Sequence, residues 1–392
     1  MPWKQKSTKM ELRLEFVTLA MRENANISSL CRRFGVSRTT GYKWIRRYKA
    51  DGKEGLKDRS RRPHSLPNKT SDRIEEAVCA VRRQHPGWGG RKIRRVLQRK
   101  AEANKAPFDE EKVPAASTCT RILHRRDLIR GEDAEKSASY QRFEKERPNQ
   151  LWQMDFKGDF LLDDETRCYP LTVVDDHSRF AVVLEACPNQ QHKTVKGHLT
   201  KAFRRYGLPE RIITDRGAPW GVGMEREDGG PFYTGLSAWL MRLGIQVSFT
   251  ARCHPETNGK NERFNGTLQA EVLRFEHFAG LEACRGRFRD WRRIYNCERP
   301  HEGIGMEVPA GRYQVSDRTY PEELPPVEYG PGDEVRQVNP NGQISFRSRR
   351  FKVGKAFGRH PVALRPTTTE GEWEVYFCHQ KIRTLNLEDP VR

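Results

Sequence analysis

Between Leu151 and Phe275 the hydrophobic pattern changes period again and again, and this alternation limits the possible folds more than any other feature. In the first stretch Trp152, Met154 and Phe156 alternate with Gln153, Asp155 and Lys157, which is the period of a strand. Further strands are predicted at 169–175 and 180–186, with Asp163-Asp164 and His177-Ser178 as the turns between them. Val195, Leu199, Ala202, Phe203 and Tyr206 then fall at helical spacing over 194–206. A strand at 211–214, a helix at 234–243 stopped by Gly244, a strand at 245–250 and a last helix follow. In that last helix Phe264, Leu268, Val272 and Phe275 make one apolar stripe at i, i+4, i+8 and i+11. Glu262, Asn265, Gly266 and Gln269 take a different face.

Three carboxylates stand out in this pattern. Asp155 is opposite the apolar face of its strand. Asp215 ends a short apolar strand that Gly217 breaks, and strand tips are where open α/β sheets place active sites. Glu262 lies in the first turns of its helix, after a loop marked by His254-Pro255 and Asn258-Gly259. Carboxylates from two strands and a helix can converge to hold hard divalent cations through oxygen.

The runs L-W-Q-M-D-F, I-I-T-D-R-G and H-P-E-T-N-G-K-N-E-R-F-N-G-T-L, in that order, resemble the Asp-Asp-Glu core of retroviral integrases and of their bacterial relatives, the integrase-type insertion-sequence transposases. The resemblance implies a ribonuclease-H-like α/β core over 150–312 in which Asp155, Asp215 and Glu262 form the metal-binding and catalytic triad. It also sets Asn265, with Lys260 and Arg263 of the same helix, beside substrate DNA. Two Mg²⁺ ions per site are implied, with Mn²⁺ able to substitute. Asp175 and Asp176 are given no metal role and read as turn residues. The segment Trp291–Pro309 resembles the family's closing helix and loop. One departure is the gap of 46 residues between Asp215 and Glu262, longer than is typical of the family. Its excess reads as a surface insertion over Trp220–Phe232, within 218–233.

Charge singles out the N-terminal part. Residues 1–149 hold 37 basic and 19 acidic residues, whereas 150–300 hold 22 and 20 and 301–392 hold 13 and 13. A basic arm on a near-neutral body suggests nucleic-acid binding. Residues 10–23 read as a helix with Leu12, Phe16, Leu19 and Ala20 on one side. Asn26 caps a second helix (27–34), Gly35 turns the chain, and Ser37 caps a third (38–48) with Trp44 and Ile45 inward. This is a helix-turn-helix domain over 1–55, all-α, with Arg38, Thr39, Thr40, Tyr42, Lys43, Arg46 and Arg47 offered to DNA. Arg59, Arg61 and Arg62 in a Pro-containing linker (56–70) suit a minor groove. Helical periodicity resumes over 71–99 around Ile74, Val78 and Val81, breaks at 85–90, and returns with Ile93, Val96 and Leu97. After a polar stretch Pro114–Leu128 reads as a further helix. This predicts a second helix-turn-helix (71–130), with Arg91, Lys92, Ser117, Thr118, Thr120, Arg121 and His124 toward DNA. A charged linker (131–149) leads to the core.

A linker (313–330, with the Pro-rich run 321–330) precedes short strands at 333–338, 343–347, 349–353, 361–365, 372–378 and 381–387, with Asn341-Gly342 as a hairpin turn. Together with the resemblance they predict a small all-β SH3-like barrel over 331–392. The nine cysteines include no C-x-x-C pair, which argues against a zinc ribbon. The odd count and the lack of a signal peptide point to reduced thiols in a cytoplasmic, nucleoid-acting bacterial protein. No apolar run approaches a membrane span.

The expected activity is that of a DNA transposase. It binds the ends of a mobile element, cleaves there, and joins the 3′-hydroxyl ends to target DNA by two-metal phosphoryl transfer. It would work as a dimer or larger even assembly on double-stranded DNA, with the linkers letting one protomer's arm serve another's core. Two other readings stay open: a ribonuclease-H-like nuclease that cuts without joining, and a transposase-derived DNA-binding regulator.

Overall fold

The computed structural model describes residues 8–59, 70–106, 108–109, 112–129, 144–221, 232–250 and 258–388. The chain divides into two compact units, Met1–Lys69 and Thr70–Arg392.

The first unit is a three-helix cluster. Thr8 and Glu11 form a capping box at the start of α1 (Lys9–Ala20), Asn26 caps α2 (Ile27–Arg33), and Ser37 caps α3 (Arg38–Asp51). Phe16, Val17, Cys31 and Leu56 form its buried centre, with Trp44 and Ile45 packed against them. Gly35, at φ +64°, makes the turn between α2 and α3. Gly41 lets α3 cross closely, because a Cβ there would stand 2.7 Å from Cys31 Sγ and 2.8 Å from Phe16.

The second unit begins with α4 (Asp72–Gln84), α5 (Gly90–Glu102) and α6 (Ala116–Arg125). Val78, Val81, Trp88, Ile93, Leu97, Ile122 and Leu123 are their common core. The buried Glu75 carboxylate ties α4 to Arg125 and, at 3.2 Å, to Arg126.

The α/β body follows as β1 (Trp152–Phe156), β2 (Phe160–Leu161), β3 (Arg167–Asp175), β4 (Ala181–Cys187), α7 (His192–Tyr206), β5 (Arg211–Thr214), α8 (Gly235–Arg242), β6 (Gln246–Phe249), α9 (Gly259–Leu268), α10 (Leu281–Cys297) and α11 (Pro309–Arg312). β3 is antiparallel to β1 and β4, and β5 is parallel to both β1 and β6. Across the sheet the order is β4-β3-β1-β5-β6, with β2 continuing β1's edge along β3. Along the chain, the short β2 aside, the succession of three strands, helix, strand, helix, strand and helix is the one expected of a ribonuclease-H-like core. α7 and α8 cover one face around Phe203, Trp239 and Trp152. α9 and α10 cover the other around Phe264, Leu268, Phe288 and Trp291.

The segment expected as a linker over 313–330 is packed onto this body. Tyr313 stacks on Phe180, and Arg318 donates to the carbonyls of Pro209, Leu243 and Gly244. Beyond it all six expected strands form: β7 (Glu334–Gln337), β8 (Gln343–Phe346), β9 (Arg349–Lys352), β10 (Pro361–Pro366), β11 (Glu372–Phe377) and β12 (Gln380–Asn386). They do not close into a barrel. β12-β11-β10-β7 is an open sheet and β8-β9 a separate hairpin, and no ladder joins the two. Its apolar side chains pack on one another, Phe346 against Trp373 at 4.8 Å and Phe357 against Phe377 at 4.9 Å, and the layer meets the body where Phe357 packs on Tyr233 at 5.7 Å. There Gln380 pairs with both backbone groups of Val247 on edge strand β6.

Candidate active site

The ladder between β1 and β5 sets two carboxylates side by side. Gln153 pairs with Ile213, and Asp155 and Asp215 each lie two residues further along these parallel neighbours. Parallel strands stand about 4.8 Å apart, so the two side chains share one end of the sheet. Asp155 is partly buried. Asp215 is exposed at its strand's tip and accepts a bond from the Gly217 N–H at 3.1 Å.

α9 is held to β1 by a buried polar lattice. The Gln153 side-chain oxygen accepts from the backbone N–H groups of Lys260 (3.2 Å) and Asn261 (3.0 Å), two of the donors a helix start leaves without helical partners. Asn261 Nδ2 donates to the carbonyls of Gln153 (2.9 Å) and Thr172 (3.3 Å), and its Oδ1 accepts from the Thr172 hydroxyl (2.8 Å). Asn261 and Gln153 are buried, so these bonds fix the helix's height and rotation over the sheet. One turn on, Asn265 Nδ2 donates to Asp155 Oδ2 at 3.2 Å. Glu262, exposed between the two asparagines, is thereby set over the carboxylate end of β1. A cleft of about 430 Å³ is lined by Asp155, Lys157, Glu262, Asn265 and Gln269.

The electrostatics follow from that crowding. Burial, then the charges of Asp215 and Glu262, push Asp155 up to about 7 against the opposing bonds from the Phe156 backbone and Asn265. Asp215 is also raised: it is open along one edge but partly desolvated at its base, and the bonds from Gly217 and Trp220 offset this only in part. A partly buried carboxylate crowded by two further carboxylates makes part of an oxygen donor set suited to a hard divalent cation. Asn265 Oδ1 adds a buried oxygen with no protein partner. The side chains are not drawn together around a point, and among the described residues no three His, Cys, Asp or Glu groups cluster closely enough to hold an ion between them.

Several expected positions have different partners. Phe275 leaves the apolar stripe and is 53% exposed, whereas Phe264, Leu268 and Val272 are buried. A π-type turn at Gln269–Leu273 slips the helical phase before it. Lys260, expected at DNA, donates into the buried carboxylate of Asp176. Asp176 also accepts from Gln153 Nε2 (2.9 Å) and the Lys145 N–H (2.8 Å). Asp175 accepts from Ser178 and the Asn149 N–H, so both aspartates are turn-side as expected. Lys92 is largely buried against Glu271 at 3.6 Å and faces the protein body, whereas Arg91 is exposed, its guanidinium 3.4 Å from the exposed Glu302. Thr120 lies against Gly90 and returns its hydroxyl to the Ala116 carbonyl. Arg59 pairs with Asp51 at 2.7 Å. Exposed as expected are Arg38, Thr39, Tyr42, Lys43 and Arg46 on α3, Ser117, Arg121 and His124 on α6, and Arg263. Thr40, Arg47 and Thr118 are partly covered. Arg61, Arg62, most of the 218–233 insertion and the His254-Pro255 loop lie outside the described residues. Gln153, Thr172 and Asn261 were missed. Their only sequence signal was a polar residue inside an apolar strand and an Asn beside the expected Glu.

Comparison with known families covers the same segments. The model "Integrase core domain" matches residues 145–255, and a second of that description 243–309. "IS481 family transposase, C-terminal domain" matches 333–390. The resemblance to integrase-type insertion-sequence transposases is borne out. A "Homeodomain-like domain" model matches 40–123 and a "Helix-turn-helix domain" model 12–64. The "Insertion element IS476 uncharacterized 39.2 kDa protein" of Xanthomonas euvesicatoria is 32% identical over 174 residues, 44% of this chain and 46% of its own length. The "Insertion element IS407 uncharacterized 31.7 kDa protein" of Burkholderia multivorans is 30% identical over 165 residues, 42% of this chain and 54% of its own. The chain thus spans about half the length of these relatives. The HTLV-2 integrase catalytic core in complex with magnesium overlaps 43% of this chain and 99% of its own at 15% identity. Its TM-score of 0.32 is too low to carry any argument.

Proposed function

We propose that this transposase-family chain cleaves DNA at the ends of a mobile element and joins the freed 3′-hydroxyls to target DNA. The observation that carries this reading is that Asp155 on β1 and Asp215 just beyond β5 share one end of the sheet, with Glu262 lining the same cleft as Asp155 on a helix held through Gln153 and Asn261. Asp155 and Asp215 would hold one divalent cation and Asp155 and Glu262 a second, Mg²⁺ with Mn²⁺ as substitute. Such ions activate the attacking oxygen and neutralise charge at the phosphate. The chain's own residues position and orient. Asn265 fixes the rotation of the Asp155 carboxylate, and Lys157 brings a cation to the phosphate's side of the cleft. α3 and α6 grip the duplex through Arg38, Tyr42, Lys43, Arg46, Ser117, Arg121 and His124, with Arg263 near the cut. With one triad per chain, two ends need two copies, so the working form is a dimer or larger even assembly on DNA. No helix among the described residues is long and apolar enough to cross a membrane, and action in the cytoplasm on nucleoid DNA is part of this reading.

The test is a cleavage and strand-transfer assay on element-end duplexes. Asp155→Asn, Asp215→Asn and Glu262→Gln should each abolish both steps while leaving end binding largely intact. Activity above a few per cent in any one removes that residue from the triad. Cutting without joining in the unmodified protein would favour a nuclease.

A further inference from the structure

The second three-helix module and the Glu262 helix meet at a buried carboxylate that the chemistry above does not use. Past Leu268 the π-type turn rotates Glu271 into the protein, where its side chain is 7% exposed. Four donors converge on it: Arg299 Nε at 2.9 Å, Trp291 Nε1 at 3.3 Å, Lys92 Nζ at 3.6 Å and the Trp88 indole. Burial alone would raise its pKa, but the charges of Arg299 and Lys92 outweigh that and hold it below its ordinary value. Trp291 and Arg299 come from α10 and the residues after it, Lys92 from the first turn of α5, and Trp88 from the loop before. That loop fits only because residue 87 is glycine: a Cβ there would stand 2.6 Å from Glu271 Cγ.

The contact continues along one face of α5. Arg95 pairs with Glu307 at 2.9 Å, and Arg99 reaches Glu307 at 3.3 Å and the Met306 carbonyl at 2.8 Å. With Lys92 these lie at successive turns, so the basic stripe faces an acidic rim of the body. The Y-N-C-E-R-P-H run supplies the socket. Tyr295 packs edge-on at 4.8 Å against Phe264, two residues after Glu262. Asn296 pairs with both backbone groups of Ala181 on β4, and His301 lies under Arg299 at 3.4 Å. One cluster thus touches the sheet, the catalytic helix and the end-binding module.

Resting on the transposase reading, we propose that Glu271 is a positioning residue for Glu262, keying the α4–α6 module onto the catalytic helix so that DNA held by α6 meets the cleft in one fixed geometry. Glu271→Gln leaves the buried Arg299 and Lys92 charges without their carboxylate, and Lys92→Met takes one of its two cations from the same buried site, each more disruptive than losing an exposed pair. A misplacement near 1 Å at a catalytic group can slow a reaction about 10²-fold.

The experiment uses the full chain with Glu271→Gln, Lys92→Met and Lys92→Arg. Hydrogen exchange over 259–273, single-turnover cleavage and affinity for an element-end duplex are read together, with circular dichroism to verify folding. Lys92→Met and Glu271→Gln should raise exchange over 259–273 on the order of tenfold and slow cleavage ten- to a hundredfold, with DNA affinity within about threefold. Lys92→Arg, which keeps charge and reach, should restore both. If Glu271→Gln does not fold, the Lys92 pair still decides. Unchanged exchange over 259–273 in Lys92→Met, or cleavage that falls only in step with DNA affinity, would overturn the proposal. The exchange result does not depend on activity, whereas the transposase reading falls on the triad assay alone.

Discussion

Asp155→Asn should make the metal-free protein more stable, and only above acidic pH. The Asp155 carboxyl is pushed up to about 7 in the folded chain by burial and by Asp215 and Glu262, whereas an unfolded Asp titrates near 4. Between those values the folded state binds the proton that the unfolded state has released, so stability falls as pH rises from about 4 to about 7 and is level above. A displacement of that size corresponds to at most about 4 kcal/mol. Partial exposure and coupling to Asp215 reduce this to roughly 1–2 kcal/mol. Asparagine keeps the shape and the acceptor for Asn265 without the charge. For a unit of this size, at about 2.1 cal/mol/K of unfolding entropy per residue, the gain is roughly 1.5–3 °C in Tm at pH 8, shrinking toward zero at pH 4. Thermal unfolding in chelator at the two pH values measures it. Added Mn²⁺ should then stabilise the unsubstituted protein more than Asp155→Asn. Equal Tm values at pH 8, or a difference that ignores pH, would refute the crowded-carboxylate reasoning.

Asn261→Ala removes three buried bonds, two to the carbonyls of Gln153 and Thr172 and one from the Thr172 hydroxyl; it should cost about 2–4 kcal/mol in denaturant unfolding and slow cleavage more than it weakens DNA binding. Changing Arg38, Lys43, Arg46 and Arg47 together to Ala should flatten the salt dependence of end binding, with log K against log salt shallower by roughly 3–4 if each meets a phosphate; an unchanged slope excludes α3 from the interface. Mixing that variant with Glu262→Gln should recover cleavage that neither has alone, because arm and core would then act from different protomers. A mixture that stays inactive while both variants fold and associate places cleavage within one protomer.

The positions of the carboxylates were legible in the sequence because strand and helix periods set Asp155 and Glu262 off the apolar face of their elements, and because Asp215 ends a short apolar strand that Gly217 breaks. The caps at Asn26 and Ser37 and the six C-terminal strands were legible for the same local reasons. What escaped was set by distant partners. Gln153 looked solvent-facing because its strand alternates, yet α9 covers it and uses its amide. Charge pattern identifies a basic residue but not what it pairs with, so Lys92 and Lys260 were assigned to DNA while Glu271 and Asp176 hold them. The π-type turn has no hydrophobic signature, and Phe275 was carried along the stripe in error. Six strands in sequence do not show whether a sheet closes on itself or stays open.

The most direct test is anomalous scattering from Mn²⁺ in crystals of the full chain bound to an element-end duplex. The expected result is two peaks about 3.5–4 Å apart at the scissile phosphate, the first bridging Asp155 and Asp215 and the second bridging Asp155 and Glu262. Peaks away from β1, or a Glu262 carboxylate beyond coordinating distance of both ions, would contradict the account.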